Sequence, residues 1–127
     1  MRCHNITRTL FHHKIRAEIK ILDFGVNVLL TGGERSHIGA VCVIDESGNP
    51  YTISFPDHRE EILAARWANE IYQAVIAPVA VEAGIHYDNA TPEQIEAILR
   101  ETDSMLVEAL KIIEADSTKK SHVKGVV

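Results

Sequence analysis

The stretch Ile15-Arg16-Ala17-Glu18-Ile19-Lys20-Ile21-Leu22 decides the class of fold in this chain of 127 residues. Apolar residues alternate with charged ones, and this period of two predicts a strand that buries one of its faces. A turn at 23–25 and a second apolar segment at 26–31 follow directly, so we expect a β-hairpin. Two further strands are predicted at 38–45 and 51–55, which makes the first half of the chain an antiparallel meander.

Helical spacing replaces the alternation in the second half of the chain. Residues 57–76 carry apolar side chains at helical intervals, with Asp57 as the expected N-cap and Glu60 at the capping-box position three residues later. The segment 79–87 returns to a strand pattern, in which Gly84 is expected to mark a β-bulge.

A second helix is predicted from a complete start signal. Thr91-Pro92-Glu93-Gln94 combines a threonine cap, a proline in the first turn and a glutamine at the third helical position, and the apolar pattern continues to about residue 115. The resulting order, β-β-β-β-α-β-α, favours an α+β fold with a mixed, mainly antiparallel sheet and both amphipathic helices packed on one face. The uncovered face and the sheet edges predict a homodimer.

Charge is unevenly distributed along the chain. The formal net charge is −5, yet residues 1–20 hold five Lys and Arg against one Glu, and residues 117–127 hold three Lys and no acid. We expect a weakly ordered basic lead at 1–14, a single domain at 15–116 and a mobile basic tail at 117–127. Because the central body is strongly acidic, nucleic-acid binding is excluded as the main role.

Membrane and disulfide-based classes are also disfavoured. No apolar run approaches the roughly 20 residues that span a bilayer, and the segment after Arg2 lacks the apolar core of a signal peptide, so a cytoplasmic protein is expected. Two cysteines, Cys3 and Cys42, are too few for a disulfide framework or a four-thiolate zinc site.

The polar segment Thr31-Gly32-Gly33-Glu34-Arg35-Ser36-His37 is the first candidate site. Adjacent glycines permit positive φ and close backbone approach, so successive N–H groups could form an anion-binding nest. Arg35 and Ser36 would add further donors. The alternative is a tight turn with solvated polar residues, since the segment lacks the Gly-Lys-Ser/Thr ending of a Walker loop.

Histidines supply the second candidate site. His86 and Asp88 are one strand period apart, so their side chains are neighbours on one face. An imidazole and a carboxylate form half of a divalent-metal site, which His37 or His58 could complete. The alternative is a His–Asp hydrogen bond that stabilises a turn.

Two segments carry a resemblance to a known family. Residues 29–40 read Leu-Leu-Thr-Gly-Gly-Glu-Arg-Ser-His-Ile-Gly-Ala, and residues 83–91 read Ala-Gly-Ile-His-Tyr-Asp-Asn-Ala-Thr, with His58 between them. Together they resemble the LpdD-like prenylated-flavin chaperones, small proteins that accompany UbiD-like decarboxylases of hydroxybenzoates. The resemblance covers roughly residues 15–100 and implies a fold similar to that of the proteasome-assembly chaperones, which dimerise.

The resemblance implies an accessory protein rather than an enzyme. It would bind prenylated FMN, with or without a part in its maturation, and deliver it to a UbiD-like decarboxylase. The cofactor-binding residues implied in this way are Thr31, Gly32, Gly33, Glu34, Arg35, Ser36 and His37. The implied ligands for a divalent or redox metal beside the flavin are His37, His58, His86 and Asp88.

Two other functions stay open on the sequence alone. One is a metal-dependent enzyme that uses the same three histidines and Asp88. The other is an assembly chaperone that recognises a protein surface through an exposed apolar patch and binds no small molecule.

Overall fold

The structure is a computed structural model that describes residues 1–56 and 60–119, with side chains described up to residue 116. The expected α+β class is confirmed, with a mixed, mostly antiparallel sheet and two helices. The elements of the described ranges are β1 (Arg2–Leu10), β2 (His13–Leu22), β3 (Gly25–Gly33), β4 (Arg35–Ile44), β5 (Pro50–Ser54), α1 (Glu61–Val75), β6 (Val79–His86) and α2 (Pro92–Lys119). Neither helix combines the length and the apolar character needed to cross a membrane.

The strand β6 lies inside the sheet, whose order is β1-β2-β3-β6-β4-β5. It pairs parallel with β3, and all other neighbouring strands are antiparallel. The expected meander is therefore wrong at one point, because β3 and β4 are separated by β6. A central position suits β6, since Val79, Val81 and Ala83 are buried on one face and Glu82 is its single charged residue.

The first strand, β1, occupies most of the segment that was expected to be a weakly ordered lead, and it pairs with β2 along its whole length. Phe11 and His12 form the connecting turn with φ values of 50° and 66°, where glycine or asparagine is usual. The turn is held by Tyr87, whose hydroxyl donates to the Leu10 carbonyl oxygen at 2.6 Å. The expectation was wrong because this turn carries no glycine signal and its support comes from a distant residue.

Both helices cover the same face of the sheet, as expected. The helix α1 packs on β4 and β6, α2 packs on β1 and β2, and the two helices touch each other. Trp67 is fully buried at the centre of this core, together with Ile15, Ile19, Ile71 and Met105. We call the opposite side the open face, because neither described helix lies over it. Among its residues are Arg16, Glu18, Leu29, Thr31, Val41, Val43, Tyr51, Ile53 and Glu82.

The helix α1 starts differently from the expectation. Its N-cap is Glu60, which makes no side-chain cap hydrogen bond, so Glu60 does not act as the third residue of a capping box. Asp57, the expected cap, lies outside the described residues. The helix ends as expected near residue 76, where Ile76 takes the left-handed conformation before Pro78.

The helix α2 starts as expected. The Gln94 N–H donates to Thr91 Oγ1 at 3.2 Å, and the Thr91 N–H donates to Gln94 Oε1 at 2.8 Å, which confirms the capping box. The helix continues to Lys119, past the expected end near residue 115. The remainder of the expected basic tail lies outside the described residues.

Candidate functional site

A cavity of about 580 Å³ lies on the open face, at the end of the sheet where β3 joins β4. This volume falls within the roughly 300–1,000 Å³ typical of small-molecule sites. Six of the seven residues expected to bind a cofactor contribute to its lining, and Arg35 does not. The lining consists of Lys14, Arg16, Glu18, Leu29, Thr31, Gly32, Gly33, Glu34, Ser36, His37 and Ile38.

Gly32 and Gly33 carry the chain across the end of β6. Gly33 and Arg35 are both in register with His86, so Glu34 alone spans the end of that strand. Gly33 has a φ of 81°, and a Cβ there would overlap the His86 carbonyl oxygen. A Cβ on Gly32 would lie 2.6 Å from a Cα of β2. The Glu34 N–H donates to the His86 carbonyl oxygen at 2.7 Å. Close strand packing therefore accounts for both glycines without an anion.

A β-bulge in β4 shapes the wall of the cavity. Between Ser36 and Ala40 the register against β6 shifts, so that residues 37–39 stand opposite the single residue Gly84. A Cβ on Gly84 would overlap the His37 carbonyl oxygen. The expected bulge is therefore present, with its extra residues on β4 and with Gly84 as the partner residue that makes room for them. The bulge places His37 and Ile38 in the wall of the cavity.

Two histidine–carboxylate pairs lie side by side at this end of the sheet. His37 Nε2 is 3.0 Å from Glu60 Oε1, and His86 Nε2 is 2.7 Å from Asp88 Oδ1. The two imidazole ring centres are 6.1 Å apart, with an interplanar angle of 80°. The hydrogen bond from His86 is the main cause that lowers the pKa of Asp88, whose backbone N–H donates to Glu34 Oε2 at 3.1 Å.

The expected metal ligands are not assembled around one point. His37 and His86 each direct Nε2 to a different carboxylate, and His58 lies outside the described residues. Within residues 1–56 and 60–116, no group of three or more His, Cys, Asp or Glu side chains is arranged to hold a metal ion. His86 and Asp88 do form the hydrogen bond that the alternative interpretation expects, and the role of the pair in metal binding stays a prediction.

Three charged residues of β2 belong to the cavity and were not among the predicted site residues. Lys14, Arg16 and Glu18 follow one another at a period of two, which places all three on the open face. The alternation in β2 predicts that they face away from the core, but not that β3 and the bulge of β4 enclose them. Lys14 was also assigned to the weakly ordered lead, outside the domain.

A half-buried carboxylate sits beside the cavity on the open face. Glu82 of β6 lies next to Leu29 in the sheet and accepts hydrogen bonds from Asn27 Nδ2 at 3.1 and 2.9 Å. Burial raises the pKa of Glu82, against the smaller opposing effects of Asn27 and Lys20. This carboxyl group therefore gives up its proton less readily than one in water.

The cavity combines features that suit a ligand with an anionic end and a partly apolar body. Lys14 and Arg16 supply positive charge, and the hydroxyls of Thr31 and Ser36 supply hydrogen-bonding groups. Leu29 supplies an apolar contact surface between them and Glu82. The lining is mainly polar, and its apolar side chains are Leu29 and Ile38.

Known proteins share both the sequence pattern and the fold. The prenylated flavin chaperone LpdD-like domain matches residues 9–114. Protein LpdD of Lactiplantibacillus plantarum is 26% identical over 108 residues, which cover 81% of this chain and 79% of that protein. A chain from a crystal structure of a chaperone complex for yeast 20S proteasome assembly has a TM-score of 0.54 and 14% identity, over 90% of this chain and 99% of that one. Since the match to the domain extends over most of its length, this chain belongs to the family of LpdD-like prenylated flavin chaperones.

Proposed function

We propose that this protein binds prenylated FMN in the open-face cavity and delivers it to a UbiD-like decarboxylase. Its family supports a chaperone role connected with prenylated flavin. The observation that carries the proposal is the cavity, because its volume, its cations and its apolar contacts fit a flavin mononucleotide. The flavin would supply the chemistry of the decarboxylase, and this chain would hold and protect it.

The first test measures whether the cavity holds the flavin. The protein is co-expressed with a flavin prenyltransferase, and its bound flavin is measured by absorbance and mass spectrometry. Leu29→Trp fills the cavity and should abolish the bound flavin, whereas Asn5→Trp adds the same ring to the open face outside the cavity lining. A wild-type protein without flavin, or Leu29→Trp with undiminished flavin, would refute the proposal.

The second test measures delivery. Flavin-loaded protein is mixed with an apo-decarboxylase of the UbiD-like class, and decarboxylase activity is followed against an equal concentration of free cofactor. We expect faster or more complete activation from the loaded protein, because a held flavin is shielded from side reactions. Equal activation by free cofactor would remove the delivery step while leaving the binding proposal intact.

We also propose that two copies associate through the apolar half of the open face. Val43 is 38% exposed, Tyr51 59% and Ile53 61%, and they lie on adjacent positions of β4 and β5. Patches of several exposed apolar side chains are uncommon on monomers and usually mark an interface. A second copy with the same patch is its natural complement, since Val43, Tyr51 and Ile53 are themselves uncharged and the nearby carboxylate of Asp45 already accepts a hydrogen bond from the Tyr51 hydroxyl.

A further inference from the structure

Two basic side chains, Lys14 and Arg16, line the cavity without an acidic partner among the described residues. Lys14 and Arg16 make no ion pair and no side-chain hydrogen bond with any residue in the described part of the chain. Four other arginines each meet a carboxylate: Arg2, Arg8, Arg66 and Arg100. Glu18 and Glu34 also line the cavity, but neither forms an ion pair with Lys14 or Arg16, so both cations are free to meet a ligand.

The positions of Lys14 and Arg16 allow them to act on the same ligand group. They are two residues apart on one strand, so their side chains leave the same face roughly 7 Å apart. Arg16 is in register with Thr31, and both residues line the cavity. Long side chains at this separation can converge on one anion between them.

The backbone of residues 31–34, which we call the glycine loop, is poorly placed to bind that anion. Gly32 is in register with strands on both of its sides, β2 and β6, and the Glu34 N–H already donates to the His86 carbonyl oxygen. Of the two acidic residues in the lining, Glu34 accepts a hydrogen bond from the Asp88 N–H, and Glu18 forms no ion pair with Lys14 or Arg16 in the described part of the chain. Side chains of β2 are therefore the stronger candidates for an anion-binding role.

We propose that Lys14 and Arg16 bind the phosphate group of the ligand, so that its phosphate end lies over β2. This inference rests on the proposed function, in which the ligand is a flavin mononucleotide. Two cations match the charge of a phosphate monoester, which is close to −2 at neutral pH. Glu18, the next residue on the same face, disfavours a second phosphate and so favours a mononucleotide over a dinucleotide.

The proposal is tested by comparing FMN with riboflavin, which differ only in the phosphate. Affinities are measured by quenching of flavin fluorescence for the wild type, Lys14→Gln, Arg16→Gln and the double variant. Lys20→Gln is the matched control, since Lys20 lies on the same face of β2 outside the cavity lining. Circular dichroism checks that each variant is folded, and the exposed position of all three side chains makes this the expected result.

We expect the wild type to bind FMN at least about tenfold more tightly than riboflavin, with a preference that weakens as salt is added. Each single cavity variant should lose part of the preference for FMN, about threefold or more, and the double variant should bind both flavins equally. Lys20→Gln should keep the preference.

Two results would overturn the inference, and they can be told apart. If FMN is preferred but the variants keep that preference, the phosphate is bound elsewhere, and the proposed function stands without this assignment. If the wild type binds FMN no more tightly than riboflavin, or binds neither, this assignment of the phosphate is wrong, and the co-expression test with prenylated flavin decides the proposed function separately.

Discussion

The substitution Gly84→Ala tests how the bulge of β4 builds the cavity wall. The added Cβ would overlap the His37 carbonyl oxygen and would lie 2.5 Å from the His37 carbonyl carbon and 3.2 Å from the Gly39 nitrogen. All three obstacles are backbone atoms, which cannot rotate away as a side chain can. The segment 37–39 must therefore move off β6, and His37 moves with it.

The expected loss of stability follows from this overlap. Overpacking at a site that cannot relax costs about 1–3 kcal/mol. For a chain of this length, each kcal/mol corresponds to roughly 3–5 °C in melting temperature, so Gly84→Ala should lower it by roughly 3–15 °C. Because His37 lines the cavity, the FMN affinity of the folded protein at 25 °C should also fall.

The assay pairs thermal unfolding by circular dichroism with flavin titration, and Gly39→Ala is the comparison variant. The three atoms nearest to a Cβ on Gly39 all belong to the carboxylate of Glu60, the end of a side chain that can rotate at the expense of its contact with His37. We therefore expect Gly39→Ala to cost less stability than Gly84→Ala. A melting temperature for Gly84→Ala within about 1 °C of the wild type, with unchanged FMN affinity, would refute the account of the bulge given above.

Three further predictions concern a buried carboxyl group, a helix cap and association. Burial raises the pKa of Glu82 above 4.5, so the folded protein holds this proton more tightly than the unfolded chain, and stability should fall as the pH rises through the window just above 4.5. Glu82→Gln should remove that fall, as measured by melting temperature between pH 4 and 7. Thr91→Ala removes half of the capping box and should lower the free energy of unfolding by about 1 kcal/mol in urea titrations. Light scattering at micromolar concentration should give twice the chain mass of 14.1 kDa, and Ile53→Lys should give the single-chain mass.

Each of these has a control and a contradicting result. Glu18→Gln changes a carboxylate on the same open face, and an identical pH profile for it and Glu82→Gln would argue against a special role for burial at Glu82. Thr91→Ser keeps the capping hydroxyl and should keep most of the stability, so an equal loss would contradict the cap. A wild-type mass of one chain would refute the proposed dimer. If Ile53→Lys still has the mass of two chains, the dimer forms through another surface.

Most of the secondary structure was predictable because its signals are local. The alternation in β2, the capping box of α2 and the apolar spacing of α1 each depend on residues within a few positions of one another. The strand β1 was missed because its turn lacks such a local signal. Its turn has no glycine, and Tyr87, which stabilises that turn, is far away in the chain.

The candidate site was located from the sequence, but its physical basis was only partly recognised. Residues 31–34 do line the cavity, and the close packing of Gly32 and Gly33 against β2 and β6 is a structural reason for glycine at both positions that the sequence did not reveal. The histidine–carboxylate pair His86–Asp88 was predicted as neighbours and is hydrogen-bonded. The second pair, His37 with Glu60, was not predicted, because it joins a strand bulge to the start of a helix.

With the exception of β1, the sequence alone determined which segments become strands and helices and which faces they bury, since both depend on periodic patterns of apolar residues. It also determined that polar groups cluster near the β3–β4 connection. Only the tertiary structure decided that β6 enters between β3 and β4, because strand order is selected by packing among distant segments and leaves no periodic trace in any one of them. That order brings Lys14 and Arg16 of β2, the loop after β3 and the bulge of β4 around a single cavity, and so decides which charges a ligand would meet.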